Sequence, residues 1–198
     1  MGKRSERNTK GKIASAAWTL FTEKGYDNTT IEDIIEASGT SRGSFYHYFE
    51  GKDSLIASMT FVLDEEYQRM EERLDPAWSA GEKLLFMDLE ICRFMENQLS
   101  VEMVTRLTAS QLVTGNARAL LDRNRYYYRL LRNVVEEGLL KGELRPEYTV
   151  NDIVKAFSVL ERGLMYDWCL CRGEYSLTDY ARKLMPLYLE PYVIRKGE

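Results

Sequence analysis

TTIEDIIEASGTSRGSFYHYFEGKDSL, residues 29–55, is the stretch that decides the fold. Thr29-x-x-Glu32 and Thr30-x-x-Asp33 both have capping-box spacing, so Thr29 or Thr30 opens a short helix whose buried side is Ile31, Ile34 and Ile35. That helix stops near Gly39. Ser38-Gly39-Thr40-Ser41 then turns the chain into a third helix of about two turns, Arg42 to Phe49. At about 100° per residue, Phe45 and Phe49 lie about 40° apart and define the side that packs inward. Gly43 and His47 fall on the opposite side, flanked by Tyr46 and Ser44, with Tyr48 partly turned toward the packing.

Two short helices joined by a tight glycine turn, with hydrogen-bonding and aromatic side chains outward and no acid among them, meet the requirements of a major-groove reader. An Asp or Glu on that face would repel phosphate. Arg42 can address a guanine edge bidentately, and Ser44 and His47 can bond to bases or phosphates. Tyr46 can do the same or touch a thymine methyl, and Gly43 lets the backbone come close. Lys52 opens a fourth helix, where the helix dipole disfavours a cation, so a nearby phosphate is the reason expected for it. Thr30, at the start of the second helix, is suited to hold another phosphate.

Working outward, Ile13, Ala17, Leu20 and Phe21 form the stripe of a first helix that ends before Gly25, a residue suited to a left-handed cap. Ile56, Met59, Leu63, Tyr67, Met70 and Leu74 keep a three-four spacing. This predicts one continuous fourth helix of about twenty residues, closed by Asp75-Pro76. Residues 82–99 are apolar nearly all round, as in a helix enclosed by others, and mark the centre of a second domain. Further helices are expected at about 101–113, 116–140, 150–172 and 177–190, separated by Gly115, Gly142 with Pro146, and Gly173. The predicted fold class is all-α, with about nine helices and no internal repeat. Pro186 is expected to kink the last of them.

The 198 residues, 44% hydrophobic, can bury a substantial core in one large domain or two small ones. No apolar run reaches the roughly 18 residues of a membrane span, and the first twelve residues are polar and basic, which predicts a cytoplasmic protein with no membrane partner. Cys92, Cys169 and Cys171 are odd in number, and the last two would point about 200° apart on a helix. They read as reduced, mostly buried thiols, with a redox-sensing Cys169/Cys171 pair as the rarer alternative. A net charge of -4 argues against a protein that coats nucleic acid. The charge is uneven: +4 over residues 1–12, +1 over 1–52 and -5 over 53–198. The basic arm Lys3, Arg4, Arg7, Lys10 and Lys12 is suited to sequence-independent contacts with DNA.

An enzyme is poorly supported. His47 is the only histidine, no metal-ligand spacing or phosphate-cradling glycine loop occurs, and Glu161-Arg162 are the unusual charges of an otherwise apolar helix. No catalytic set assembles, and neither cofactor nor metal is expected.

Thr29-Thr30-Ile31-x-Asp33-Ile34-Ile35-x-x-Ser38-Gly39-x-Ser41-Arg42-Gly43-x-Phe45-Tyr46-x-Tyr48-Phe49-x-x-Lys52-Asp53-x-Leu55 resembles the DNA-binding signature of the TetR family of transcriptional regulators, without gaps, over about residues 9–55. Ile35 and Ser38 stand where many members have Ala. The resemblance implies base contacts from Arg42, Gly43, Ser44, Tyr46 and His47, and phosphate contacts from Thr30, Tyr48 and Lys52. It implies a DNA-binding domain over 1–52, an effector-binding and dimerisation domain over 53–198, and a homodimer on a pseudo-palindromic operator of double-stranded DNA. By the same analogy a small hydrophobic or aromatic effector of unknown identity would sit near Phe86, Phe94, Met95, Met103, Arg106, Tyr127 and Trp168. The last two long helices would pair the subunits through Phe157, Leu160, Leu164, Trp168, Leu177, Tyr180, Leu184 and Tyr188. A coactivator or DNA organiser of the same fold, without an effector, is the alternative reading.

Overall fold

The computed structural model describes residues 2–113 and 118–194, with side chains for 9–52, 54–112 and 118–194. Among these residues there are ten α-helices: α1 (Gly2–Lys24), α2 (Ile31–Ser38), α3 (Arg42–Tyr48), α4 (Lys52–Ile56), α5 (Met59–Glu71), α6 (Ala80–Gln98), α7 (Val101–Val113), α8 (Tyr126–Leu140), α9 (Val150–Leu170) and α10 (Leu177–Leu189). A 3₁₀ turn covers Ala119–Leu121, and the single β-bridge joins Leu144 to Val193. The chain divides into two compact units, one from Met1–Val62 and Gln98–Leu120, the other from Leu63–Asn97 and Leu121–Glu198.

In the first unit, α1 buries Ile13, Ala14, Ala17, Trp18, Leu20 and Phe21 and ends at Gly25, whose φ of 82° is open to glycine at little cost. The helix begins at Gly2, so the basic segment 3–12 is its first half and not an extended arm; the side chains of Lys3, Arg4 and Arg7 lie outside the described residues. Of the two candidate caps for α2, Thr30 is the one used: its hydroxyl accepts from the Asp33 amide at 3.1 Å, and the Asp33 carboxylate accepts from the Thr30 amide at 2.9 Å. Thr29 is buried instead, its hydroxyl donating to the carbonyl of Gly25 at 2.8 Å. Gly39 closes α2 in the left-handed region, and Ser41 caps α3 by accepting from the Ser44 amide.

The continuous fourth helix expected from periodicity is two segments. Ser58 and Thr60 turn their hydroxyls back onto the carbonyls of Leu55 and Ala57, at 2.5 and 3.0 Å, and the amides of Ser58 and Phe61 bond three residues back instead of four. Such side-chain bonds compete with the helical ladder. The indole of Trp18 on α1 also donates to the Ser58 hydroxyl at 3.3 Å, which holds the break in place.

In the second unit, α9 packs against both α8 and α10. The helix expected from 116 begins only at Tyr126. Asp122 accepts from the Asn124 amide in an Asx turn, and Asp64 on α5 accepts from the first amide of α8 while paired with Arg125 at 2.8 Å. Gly115 and the first residues of that predicted helix lie outside the described residues. Pro186 does lie inside α10. Against α6, α8 presents Gly138, where a methyl group would overlap the Ala80 methyl and stand 2.9 Å from Leu144 Cδ1. Gly138→Ala is therefore expected to destabilise the protein by about 1–3 kcal/mol, as overpacked cores do, although alanine favours a helix. Urea unfolding checks this, and an unchanged or raised midpoint would refute the close packing.

Candidate nucleic-acid interface

The orientation of α3 follows from its two phenylalanines. Phe45 is 0% and Phe49 4% exposed, their rings 5.9 Å apart, on a helix packed against α1 and α2. Arg42, Gly43, Tyr46 and His47 are exposed, while Ser44 and Tyr48 are half-buried. A Cβ on Gly43 would meet only Ser41 Oγ, at 3.9 Å, so the chain itself does not demand glycine there. His47 and Tyr48 meet edge to face at 4.7 Å, and the Arg42 guanidinium lies 5.7 Å from the Tyr46 ring.

Arg42 donates to Glu32 at 2.8 Å, but both side chains are about two-thirds exposed, 66% and 64%. An ion pair that open to solvent contributes roughly 0–1 kcal/mol. A bidentate arginine–guanine contact contributes about 1–3 kcal/mol, so exchange of one for the other is favourable.

Lys52 has a local explanation that the sequence reading missed. Its ammonium donates to the carbonyls of Tyr26 and Thr29 at 2.6 and 3.0 Å and sits 4.3 Å from the centre of the Tyr26 ring. It ties the turn between α1 and α2 to the start of α4, which outweighs the few tenths of a kcal/mol, up to about 1, lost to the helix dipole. Thr30 is likewise engaged in its capping box. Lys10 places its ammonium 5.8 Å from the Phe49 ring and 5.5 Å from that of Phe61.

The seven residues expected near an effector fall in both units, Met103 and Arg106 in the first and Phe86, Phe94, Met95, Tyr127 and Trp168 in the second. Met103 is buried in the first unit, where Arg106 is committed to Asp27 at 2.9 Å, to Glu102, and to the face of Tyr26. Arg106 thus braces the same α1–α2 turn that Lys52 holds. In the second unit Phe86 stacks on Trp78 at 5.2 Å, Phe94 is half-buried, Met95 is buried, and the buried Trp168 donates to the Tyr175 carbonyl at 3.1 Å. Of the eight interface residues, Phe157, Leu164, Trp168 and Leu177 are buried by their own chain, so they have no surface to offer a second subunit; Leu160, Tyr180, Leu184 and Tyr188 keep exposure. Cys92 and Cys169 are buried thiols and Cys171 is half-buried.

Tyr127 belongs to a polar group that the sequence reading did not assemble. Its hydroxyl donates to one oxygen of Glu161, and that of Tyr67 donates to the other at 3.3 Å, with the two rings 4.9 Å apart. Burial raises the Glu161 carboxyl to about 7, against the opposing pull of the Tyr127 and Tyr67 hydroxyls. Asp88, on α6, is fully buried and pushed up by burial and then by Glu161; burial does the same to the Cys92 thiol. Among the described residues no group of His, Cys, Asp and Glu is arranged to hold a metal ion, and no helix is long and apolar enough to cross a membrane.

A capped helix-turn-helix whose second helix turns donors and rings outward defines a DNA-binding regulator. Residues 13–59 match the model of the bacterial regulatory proteins, tetR family. The transcriptional repressor KstR2 of Mycolicibacterium smegmatis is 26% identical over 94% of this chain and 92% of its own length. Among solved structures, FadR of Bacillus subtilis in complex with stearoyl-CoA superimposes with a TM-score of 0.67 at 20% identity over 91% of this chain and 97% of that one. FadR of Thermus thermophilus in complex with lauroyl-CoA does so at 0.69 and 19%, over 94% and 96%. Residues 13–59 thus carry the segment shared by the tetR family, and the relatives that match along most of the chain are transcriptional regulators.

In the unfolded chain Glu161 loses its proton near its ordinary 4.5, and in the folded chain near 7, so between these values the folded state holds a proton the unfolded state has released. This contribution to stability is therefore greatest below about 4.5 and declines as pH rises to about 7. Thermal unfolding from pH 5 to 7.5 should give a falling Tm, with a shallower fall in Glu161→Gln; equal slopes in the two proteins would refute the buried state of this carboxyl.

Proposed function

We propose that the chain is a cytoplasmic homodimeric repressor in which residues 1–52 read the operator and residues 53–198 pair the subunits and receive an apolar or aromatic effector. The observation that carries this reading is the outward face of α3: Arg42, Gly43, Tyr46 and His47 exposed with no acid among them, behind a fully buried Phe45. These residues and Ser44 contact base edges, while Tyr48, the Thr30 end of α2 and the remaining donor of Lys52 contact phosphates. Two copies of α3 enter successive major grooves about 34–36 Å apart. Repression follows the mode of relatives such as KstR2, whose name carries the word.

The subunits meet through a stripe at three-four spacing: the exposed Val159, Gly163, Tyr166 and Leu170 on α9, continued by the exposed Tyr180 and Leu187 and the half-buried Leu184 on α10. Nothing lies within 4 Å of where a Gly163 Cβ would be, so a second helix can come close there. Within one chain, glycine at this site costs about 1 kcal/mol against alanine and returns no contact. The release step uses α5. It carries Tyr67 of the polar group in one unit, and its first residues, Met59 to Val62, belong to the other. An effector that displaces Tyr67 therefore moves a helix shared with the DNA-binding unit.

The experiment is a genome-wide footprint of bound DNA. Tyr46→Ala with His47→Ala should abolish occupancy in a protein that remains folded, since each lost base contact costs about 1–3 kcal/mol. The paired variant Tyr166→Asp, Leu170→Asp should sediment as a monomer at micromolar concentration and lose the footprint. Unchanged occupancy in the first, or a dimer in the second, would refute the corresponding half of the reading.

A further inference from the structure

Asp88 Oδ1 is the single buried side-chain oxygen or nitrogen without a hydrogen-bond partner among the described residues, on a residue that is 0% exposed. The other carboxylate oxygen has only the Cys92 thiol, a weak donor, at 4.0 Å. Close enough to act on it electrostatically stands Glu161, whose oxygens are taken by Tyr67 and Tyr127. The charged and titratable groups facing this pair come from every element around it: Asp64 and Tyr67 from α5, Cys92 from α6, Arg125, Tyr127 and Tyr128 from the start of α8, and Arg162 from α9.

None of the neighbouring cations serves Asp88. Arg125 is committed to Asp64 through two nitrogens at 3.1 and 2.8 Å, Arg162 donates to the Tyr128 hydroxyl at 3.3 Å, and Lys83 on the same helix pairs with Glu137 at 2.9 Å. A carboxylate kept in an apolar helix face beside a second carboxylate, with no donor, is unfavourable to the folded chain taken alone. A leucine there would serve the core better. The missing group is a donor from outside the chain.

Its chemistry can be narrowed by elimination. Two carboxylates repel an anion. A hydroxyl would satisfy one lone pair and leave the charge that remains on the pair, which holds a proton, without a counter-ion. A metal ion lacks a third suitable ligand. A protonated amine supplies both the hydrogen bonds and the charge, and the electron-rich faces of Tyr67 and Tyr127 favour a cation beside them. Glu161 as a residue keeps part of its surface, whereas Asp88 keeps none.

We propose that the effector is an organic amine, an apolar or aromatic body carrying a protonated nitrogen that is received by Asp88 and Glu161 beside the ring pair of Tyr67 and Tyr127. This rests on the effector-released regulator reading above and names the ligand class that reading leaves open. Binding ionises both carboxylates, so a proton held by the pair is released to the solvent as the ammonium enters.

Calorimetry on the full-length protein tests it with phenethylamine, tryptamine and octylamine, set against 2-phenylethanol, 3-phenylpropionate and lauroyl-CoA. At least one amine should bind about tenfold or more tighter than 2-phenylethanol, with an enthalpy that changes with the ionisation heat of the buffer, while the two anions give no heat. Asp88→Asn and Glu161→Gln, each folded by circular dichroism, should weaken that amine about tenfold or more; the second variant keeps the test open if the first does not fold. The proposal is overturned by the absence of binding for all three amines at millimolar concentration, by equal binding of the alcohol or an anion, or by variants that bind the amine as the parent does. A protein that binds its operator yet fails here refutes the amine alone. One that fails to bind DNA refutes the regulator reading.

Discussion

Burial of Phe45 and Phe49 is the constraint on which the rest depends. A two-turn helix has too little intrinsic stability to hold an orientation by itself, so its rotation is set by what it buries. With both rings inside, the outward residues follow from helical geometry alone. The turn before α3 contributes the remaining constraints, with Gly39 in the left-handed region and Ser41 as cap. The turn before α2 is fixed from two sides, by Lys52 on its carbonyls and by Arg106 on Asp27. The outward face of α3 is therefore set by local caps and by these two longer-range ties, with the Arg42 guanidinium in an exposed ion pair with Glu32.

The second unit follows a different logic. Its apolar helices bury enough surface to be stable, yet α6 carries Asp88 inside and α9 carries Glu161. Groups of this kind lower the stability of a core and persist where they serve a ligand. The same unit leaves large apolar residues at the surface of α9 and α10, which a monomer has no use for. Both departures from an ideal core, the buried acids and the exposed apolar residues, are what the proposed effector site and subunit contact are built on.

Much of this was legible in the sequence because it is local. The caps, the left-handed glycines, the stripe of α1 and the face of α3 each depend on residues within four positions of one another. The break at Ser58 was not legible: periodicity continues through it, and hydroxyl bonds to the backbone, with Trp18 forty residues away, decide it. The local partners of Lys52 were not legible for the same reason, its carbonyl partners lying on a distant turn. On α9 there are two apolar stripes, and the sequence does not separate them. Phe157, Leu164 and Trp168 lie on one and Val159, Tyr166 and Leu170 on the other, and only packing tells them apart. Asp88 was hidden among the other acids of α6, Glu82, Glu90 and Glu96; its signal was that it falls on the three-four stripe of Leu84, Ile91 and Met95.

The most direct test of the central claim is selection from a random pool of duplex DNA by the purified protein. The account predicts enrichment of a pseudo-palindrome whose half-sites are centred about one helical turn, or a multiple of it, apart. A pool that stays random while the protein retains bound DNA would mean that α3 does not read bases, and would contradict it.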